Sequence, residues 1–189
     1  STPVPQPHTV DKAVDDLHAL LLASKLPGPH VLVSHSYGGL IAALYARRYP
    51  ESIAGLVMVD AASEWMEDVL SPEKLAFWDE GHRTTSEGRE AFLGIDACGQ
   101  IRAAGPAPKV PAIVLSADKW LRLDLLPPEI VGDPKFLTFA EWLAAQDLLA
   151  SALGGNHITK TSSGHLMMID SPTVVTDAIR QIVERARQR

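Results

Sequence analysis

The chain has 189 residues, 46% hydrophobic and 21% charged, enough for one apolar core and too apolar for a disordered chain. Its 17 basic and 23 acidic residues leave a net charge of −6, which argues against a nucleic-acid binder or a polybasic membrane-docking surface. Apolar runs such as Leu40–Ala46 are too short to cross a bilayer, and the single cysteine, Cys98, excludes an internal disulfide framework and a cysteine-built zinc site. That cysteine usage leans towards the cytoplasm without excluding secretion, since a mature secreted chain has already lost its signal peptide.

Ser1 to Thr9 hold three prolines and read as an irregular lead-in. From Val10 a helix is expected, with Val10, Val14, Leu17 and Leu21 on one stripe and Asp11, Asp15 and Asp16 near its positive end. Pro27-Gly28-Pro29 stops it. His30 to Ser34 then reads as a strand buried on both faces, because its apolar residues do not alternate with polar ones. Tyr37 to Tyr49 reads as a helix whose inward face is Leu40, Ile41, Leu44 and Tyr45, and Ile53 to Val59 as a second buried strand. Strand, helix and strand in so short a span make a βαβ unit and hence a parallel sheet.

The middle of the chain changes character. Ser71-Pro72-Glu73 starts a helix, with serine as cap and proline in the first turn, and no long buried strand follows before Pro108. Pro111 to Ser116 resumes the sheet. A helix from about Thr138 to Leu153, a strand at His157 to Thr161 and a helix beginning at Ser171-Pro172 complete the chain. The last helix is expected to bury Val174, Val175, Ala178, Ile179, Ile182 and Val183. The fold class is therefore α/β. Residues 1–62 read as the first part of the core, 63–108 as a mostly helical cap insertion, and 109–189 as the second part of the core.

The informative junction is Ser34-His35-Ser36-Tyr37-Gly38-Gly39, where the first strand meets its helix. A serine with small residues two positions away on either side matches a nucleophile elbow, and Ser34 stands where glycine is usual. The turn is tight, so a bulky side chain at 34 or 38 is expected to collide with backbone. In return the Ser36 hydroxyl stands clear of the sheet at the positive end of a helix, where the Tyr37 N–H can serve an oxyanion.

The run from Val31 to Leu40, then Tyr49-Pro50-Glu51 and Gly55 to Asp60, resembles the α/β-hydrolase superfamily. So does Ser163-Gly164-His165 ahead of Asp170-Ser171-Pro172, which is similar to that superfamily's histidine loop and final helix. The resemblance implies an α/β-hydrolase fold, a mostly parallel sheet flanked by helices, in the order found here. It also implies that the superfamily's N-terminal strands, and the loop giving a second oxyanion N–H, are absent from this chain. A companion N-terminal fragment or an oligomer is then expected to cover the exposed sheet.

A serine needs a base, and His165 holds the position of the superfamily's histidine. His35, beside the serine, is expected to pack rather than react. The other five histidines show no partner pattern, and no pair has metal-ligand spacing. The acid has two candidates. Asp118 follows the strand ending at Ser116, the commoner location, but earlier than usual. Asp60 ends the preceding strand, as in some branches, and a carboxylate at an apolar strand tip calls for a charged partner. Asp60 is placed first, Asp118 second and Asp124 a distant third.

The expected function is a cofactor-free, metal-free serine hydrolase cleaving hydrophobic carboxylic esters through an acyl-enzyme. The serine argues against dehalogenase or epoxide hydrolase action, which the superfamily runs with aspartate at that position. Trp65, Met66, Phe77, Trp78 and Phe92 either form an apolar lid or pack the insertion's own core, and Met167 and Met168 either line the same pocket or, as is expected first, pack beneath the last helix. The alternatives are a catalytically silent fragment acting as a binding module, and thioesterase, amidase or C–C hydrolase chemistry on the same residues.

Overall fold

The computed structural model describes residues 8–83, 91–120 and 128–188. A helix α1 (Val10–Ser24) precedes strand β1 (His30–Ser36), helix α2 (Gly38–Arg48), a 3-10 turn (Pro50–Ser52) and strand β2 (Ile53–Ala61). Helices α3 (Met66–Val69), α4 (Pro72–Arg83) and α5 (Gly94–Ala103) lead to strand β3 (Ala112–Leu115). The chain continues through α6 (Pro128–Val131), α7 (Phe139–Leu153), strand β4 (Asn156–Ile158), α8 (Met167–Asp170) and α9 (Pro172–Arg187).

The strands form one parallel sheet in the order β1-β2-β3-β4. Side chains alternate across it, as the two-residue period of a strand requires. Leu56 and Met58 of β2, with Ala112 and Val114 of β3, face a core shared with α1, α2, α5 and α7. Val57 and Val59, with Ile113 and Leu115, face a second core against Met167 and the α9 residues Val175, Ala178 and Ile182. Both faces of β2 and β3 are thus sealed, which accounts for their unbroken apolar sequence. Helix α2 is buried almost all round, not only on Leu40 and Leu44, because α1 and α5 pack over it.

Local signals explain the boundaries. Thr138 caps α7 through a capping box: its hydroxyl accepts the Glu141 N–H, while the Glu141 carboxylate accepts the Thr138 N–H. Asp79, buried on α4, accepts the Gly94 and Ile95 amides at 2.6 and 2.9 Å and so caps the start of α5. The last strand is shorter than its sequence suggests, ending at Ile158, because Thr161 turns its hydroxyl onto the Ser116 carbonyl at 2.9 Å instead of extending the ladder. Between β2 and β3 the described chain is helical, apart from an isolated bridge from Phe92 to His8.

Candidate functional site

Strand β1 ends at Ser36 and β2 at Ala61, and both tips leave regular geometry. Ser36 has φ 53° and Asp60 has φ 41°, left-handed conformations that cost a non-glycine residue about 1–3 kcal/mol. The register slips there: His35 pairs with Val59 but Ser36 with Ala61, so Asp60 is left opposite no partner. The Ala62 N–H donates to the Ser36 carbonyl at 2.9 Å and ties the two tips together. Strain at adjacent C-terminal strand ends is the geometry of a turn built to present a side chain.

The close approach that makes the turn tight lies at Gly39, not at Gly38. A Cβ at Gly39 would stand 2.4 Å from the Ala62 carbonyl oxygen, whereas one at Gly38 meets only Ser34 Cβ at 3.7 Å. Tyr37 caps the start of α2 in helical conformation. Its ring stacks on Phe92 with centroids 3.6 Å apart, and burial holds the phenol well above its ordinary pKa.

Asp60 and His165 come together. The His165 Nδ1–H donates to Asp60 Oδ2 at 2.7 Å, with the aspartate side chain 2% exposed and the histidine 24%. Asp60 Oδ1 accepts the Ala117 N–H at 3.0 Å and the Trp142 indole N–H at 2.9 Å. His35 lies against the His165 ring, centroids 4.5 Å apart, and its Nε2–H donates to the His165 carbonyl at 2.7 Å. Burial holds the His35 pKa below its ordinary value, helped by the charge of His165 and opposed by that hydrogen bond and by Asp60. Ser36 is half-buried at the tip next to His35; among the described residues no hydrogen bond joins its hydroxyl to His165. Such bonds are commonly long before substrate binds.

Asp118 is occupied elsewhere. Its carboxylate accepts the Ser162 and Ser163 amides at 2.8 and 3.0 Å, and its own N–H donates to the Ser163 carbonyl, so it shapes the approach to the histidine loop. Asp170 does the same from the other side by accepting the Gly164 N–H at 2.8 Å. Asp124 lies outside the described residues.

A second serine–histidine–aspartate line escapes the sequence reading, which finds no partner for His157. Ser116 Oγ and His157 Nε2 are 2.6 Å apart, and His157 Nδ1 lies 2.7 Å from Asp147 Oδ1. Ser116 is fully buried, so no substrate reaches it; the line pins the end of β3 to β4 and α7. Register carried the signal, since Val114 pairs with His157 and so places Ser116 near that ring.

Cys98 is no rival nucleophile: it is fully buried, and burial pushes its thiol up to about 12. Among the described residues, no three His, Cys, Asp or Glu side chains gather as a metal site, and no helix is long and apolar enough to cross a membrane. A cleft of about 340 Å³ lined by His18, Leu21, Leu26, His30 and Tyr45 opens at the other end of β1 and is no part of this site.

Residues 1–85 match the model of the alpha/beta hydrolase fold family. The chain is 38% identical over 71 residues to a cis-3-alkyl-4-alkyloxetan-2-one decarboxylase of Shewanella oneidensis, 38% of this chain and 22% of that protein. It thus matches about a fifth of that relative's length. A thermophilic esterase from Thermogutta terrifontis superposes with a TM-score of 0.56 at 21% identity, covering 97% of this chain and 75% of the other. An epoxide hydrolase of Bacillus megaterium does so at 0.61 with 10% identity, covering 97% and 79%. Likenesses this distant speak for the fold, and esterase and epoxide hydrolase share it. With residues 1–85 matching the family and nearly the whole chain superposing on these structures, the chain carries an α/β-hydrolase fold.

Proposed function

We propose that this chain is a serine hydrolase of carboxylic esters, with Ser36 as nucleophile, His165 as base and Asp60 as the acid that orients it. The reading rests on one observation above the rest: a buried aspartate bonded to His165 Nδ1, at the strand tip hydrogen-bonded to that of Ser36. In that arrangement His165 Nε2 takes the Ser36 proton as Oγ attacks the acyl carbon. Asp60 holds the ring in the tautomer with its proton on Nδ1 and stabilises the imidazolium. The oxyanion rests on the Tyr37 N–H at the start of α2. His165 then protonates the departing alcohol, and water releases the acid from Ser36 by the reverse proton path.

The substrate is a small, apolar ester. The helices between β2 and β3 form a cap over it, with Phe92 and Trp78 as its aromatic lining beside Tyr37. The half-buried edge of β1 is covered by a companion segment or a second copy. A panel of p-nitrophenyl esters of rising acyl length, run on wild type and Ser36→Ala, tests this. Hydrolysis that vanishes in the variant supports the reading, and equal rates in both refute it. A β-lactone belongs in the panel, because the Shewanella relative is named for an oxetan-2-one, which is a strained cyclic ester.

A further inference from the structure

We infer that Trp142 is a positioning residue that aims the Asp60 carboxylate at His165, an inference that rests on the function proposed above. Asp60 offers two oxygens to three donors. Oδ2 takes the His165 N–H at 2.7 Å, and Oδ1 takes the Trp142 indole N–H at 2.9 Å and the Ala117 N–H at 3.0 Å. Two donors on one oxygen fix the plane of the carboxylate, so the other oxygen has one direction to face. The Trp142 ring also stands edge-on to the His165 ring, centroids 6.2 Å apart, and so walls the imidazole it helps to orient.

Helix α7 is built to deliver that bond. One turn after Trp142, the Gln146 amide donates to the Ala61 carbonyl at 2.6 Å, so two buried side chains of one helix grip two consecutive residues of the strained tip. The start of α7 is fixed in turn by its capping box and by Lys74 of α4, whose ammonium lies 2.7 and 2.8 Å from the Glu141 oxygens. A buried indole N–H needs some acceptor in any protein. Here the acceptor is a carboxylate already held by a backbone amide, and charge-assisted bonds are the stronger kind.

The test removes the N–H and keeps the ring. Trp142→Phe, and a variant carrying benzothienylalanine at 142 so that the bicyclic volume is retained, are compared with wild type for melting temperature, kcat and KM on an ester, and the low-field proton signal of His165 Nδ1–H. That signal is assigned by its loss from His165→Gln. The expected result is kcat lower by about tenfold or more with KM nearly unchanged, a shifted or broadened low-field signal, and a folded protein. An unmoved signal and an unchanged kcat in the benzothienylalanine variant overturn the inference. The proton signal needs no turnover. If wild type cleaves no ester but its signal still responds to Trp142, the positioning role stands and the hydrolase reading falls.

Discussion

Asp60 and Asp118 both lie just beyond apolar strand cores and both accept backbone amides, yet only Asp60 also reaches an imidazole. Asp60→Asn should therefore lower kcat by about 10³-fold or more while the fold persists, because the asparagine can hold the wrong histidine tautomer. Asp118→Asn should cost about 1 kcal/mol of stability through weakened turn bonds and leave kcat within a few-fold. Steady-state kinetics and thermal melts on the two variants separate these outcomes. His35 supplies a pH prediction. Its pKa in the folded chain lies below the ordinary 6.5, so the unfolded chain binds more protons as pH falls through that value. Stability present above about 6.5 is then lost on acidification towards the lower folded value. Melting temperatures from pH 7.5 to 5 should fall less steeply for His35→Gln than for wild type.

At the scale of elements, α2 and the tip of β2 meet without clearance at Gly39. Gly39→Ala drives a methyl into the Ala62 carbonyl and the Ala61 methyl, 2.4 and 2.7 Å from the added carbon. The strain should cost about 1–3 kcal/mol, read as a lowered urea midpoint, with a larger proportional loss of activity because both strained tips shift. The same helix carries Arg47, whose guanidinium lies 2.5 Å from Glu64 just past that tip, the two side chains 7% and 3% exposed. Arg47 also donates to the Gly105 carbonyl. Glu64→Ala strands a buried cation and should cost about 3–5 kcal/mol. Wild-type stability in that variant would show that water reaches Arg47 in solution.

Across the whole molecule, the pattern of the chain was legible wherever one residue dictates its own geometry. Proline stops, the Ser71 cap before Pro72, its hydroxyl accepting the Lys74 N–H at 3.3 Å, and the unbroken apolar strands announce their elements by local physics, whereas Ser171 makes no side-chain cap bond to the last helix. The α/β class follows from them, whereas the resemblance to the α/β-hydrolases rests on the motifs around Ser36 and His165. What sequence could not carry depends on register and on neighbours distant along the chain. The choice between Asp60 and Asp118 turns on where the His165 ring points, and the tight glycine on how closely Ala62 approaches. Trp142 gave no signal, because only the packing of α7 brings its indole to β2. The sheet itself makes one prediction. Strand β1 is half-buried and, among the described residues, pairs only with β2, with Val33 46% exposed. An open apolar edge invites pairing. The 189-residue chain should associate as its concentration rises, and Val33→Lys should shift it towards the monomer in light scattering.

The proposed mechanism requires Ser36 to be an activated nucleophile. Intact mass spectrometry before and after a fluorophosphonate probe, on wild type and Ser36→Ala, tests it most directly. One stoichiometric adduct on the wild type and none on the variant is the predicted result. No adduct on a folded wild-type chain, or equal labelling of both, would contradict it.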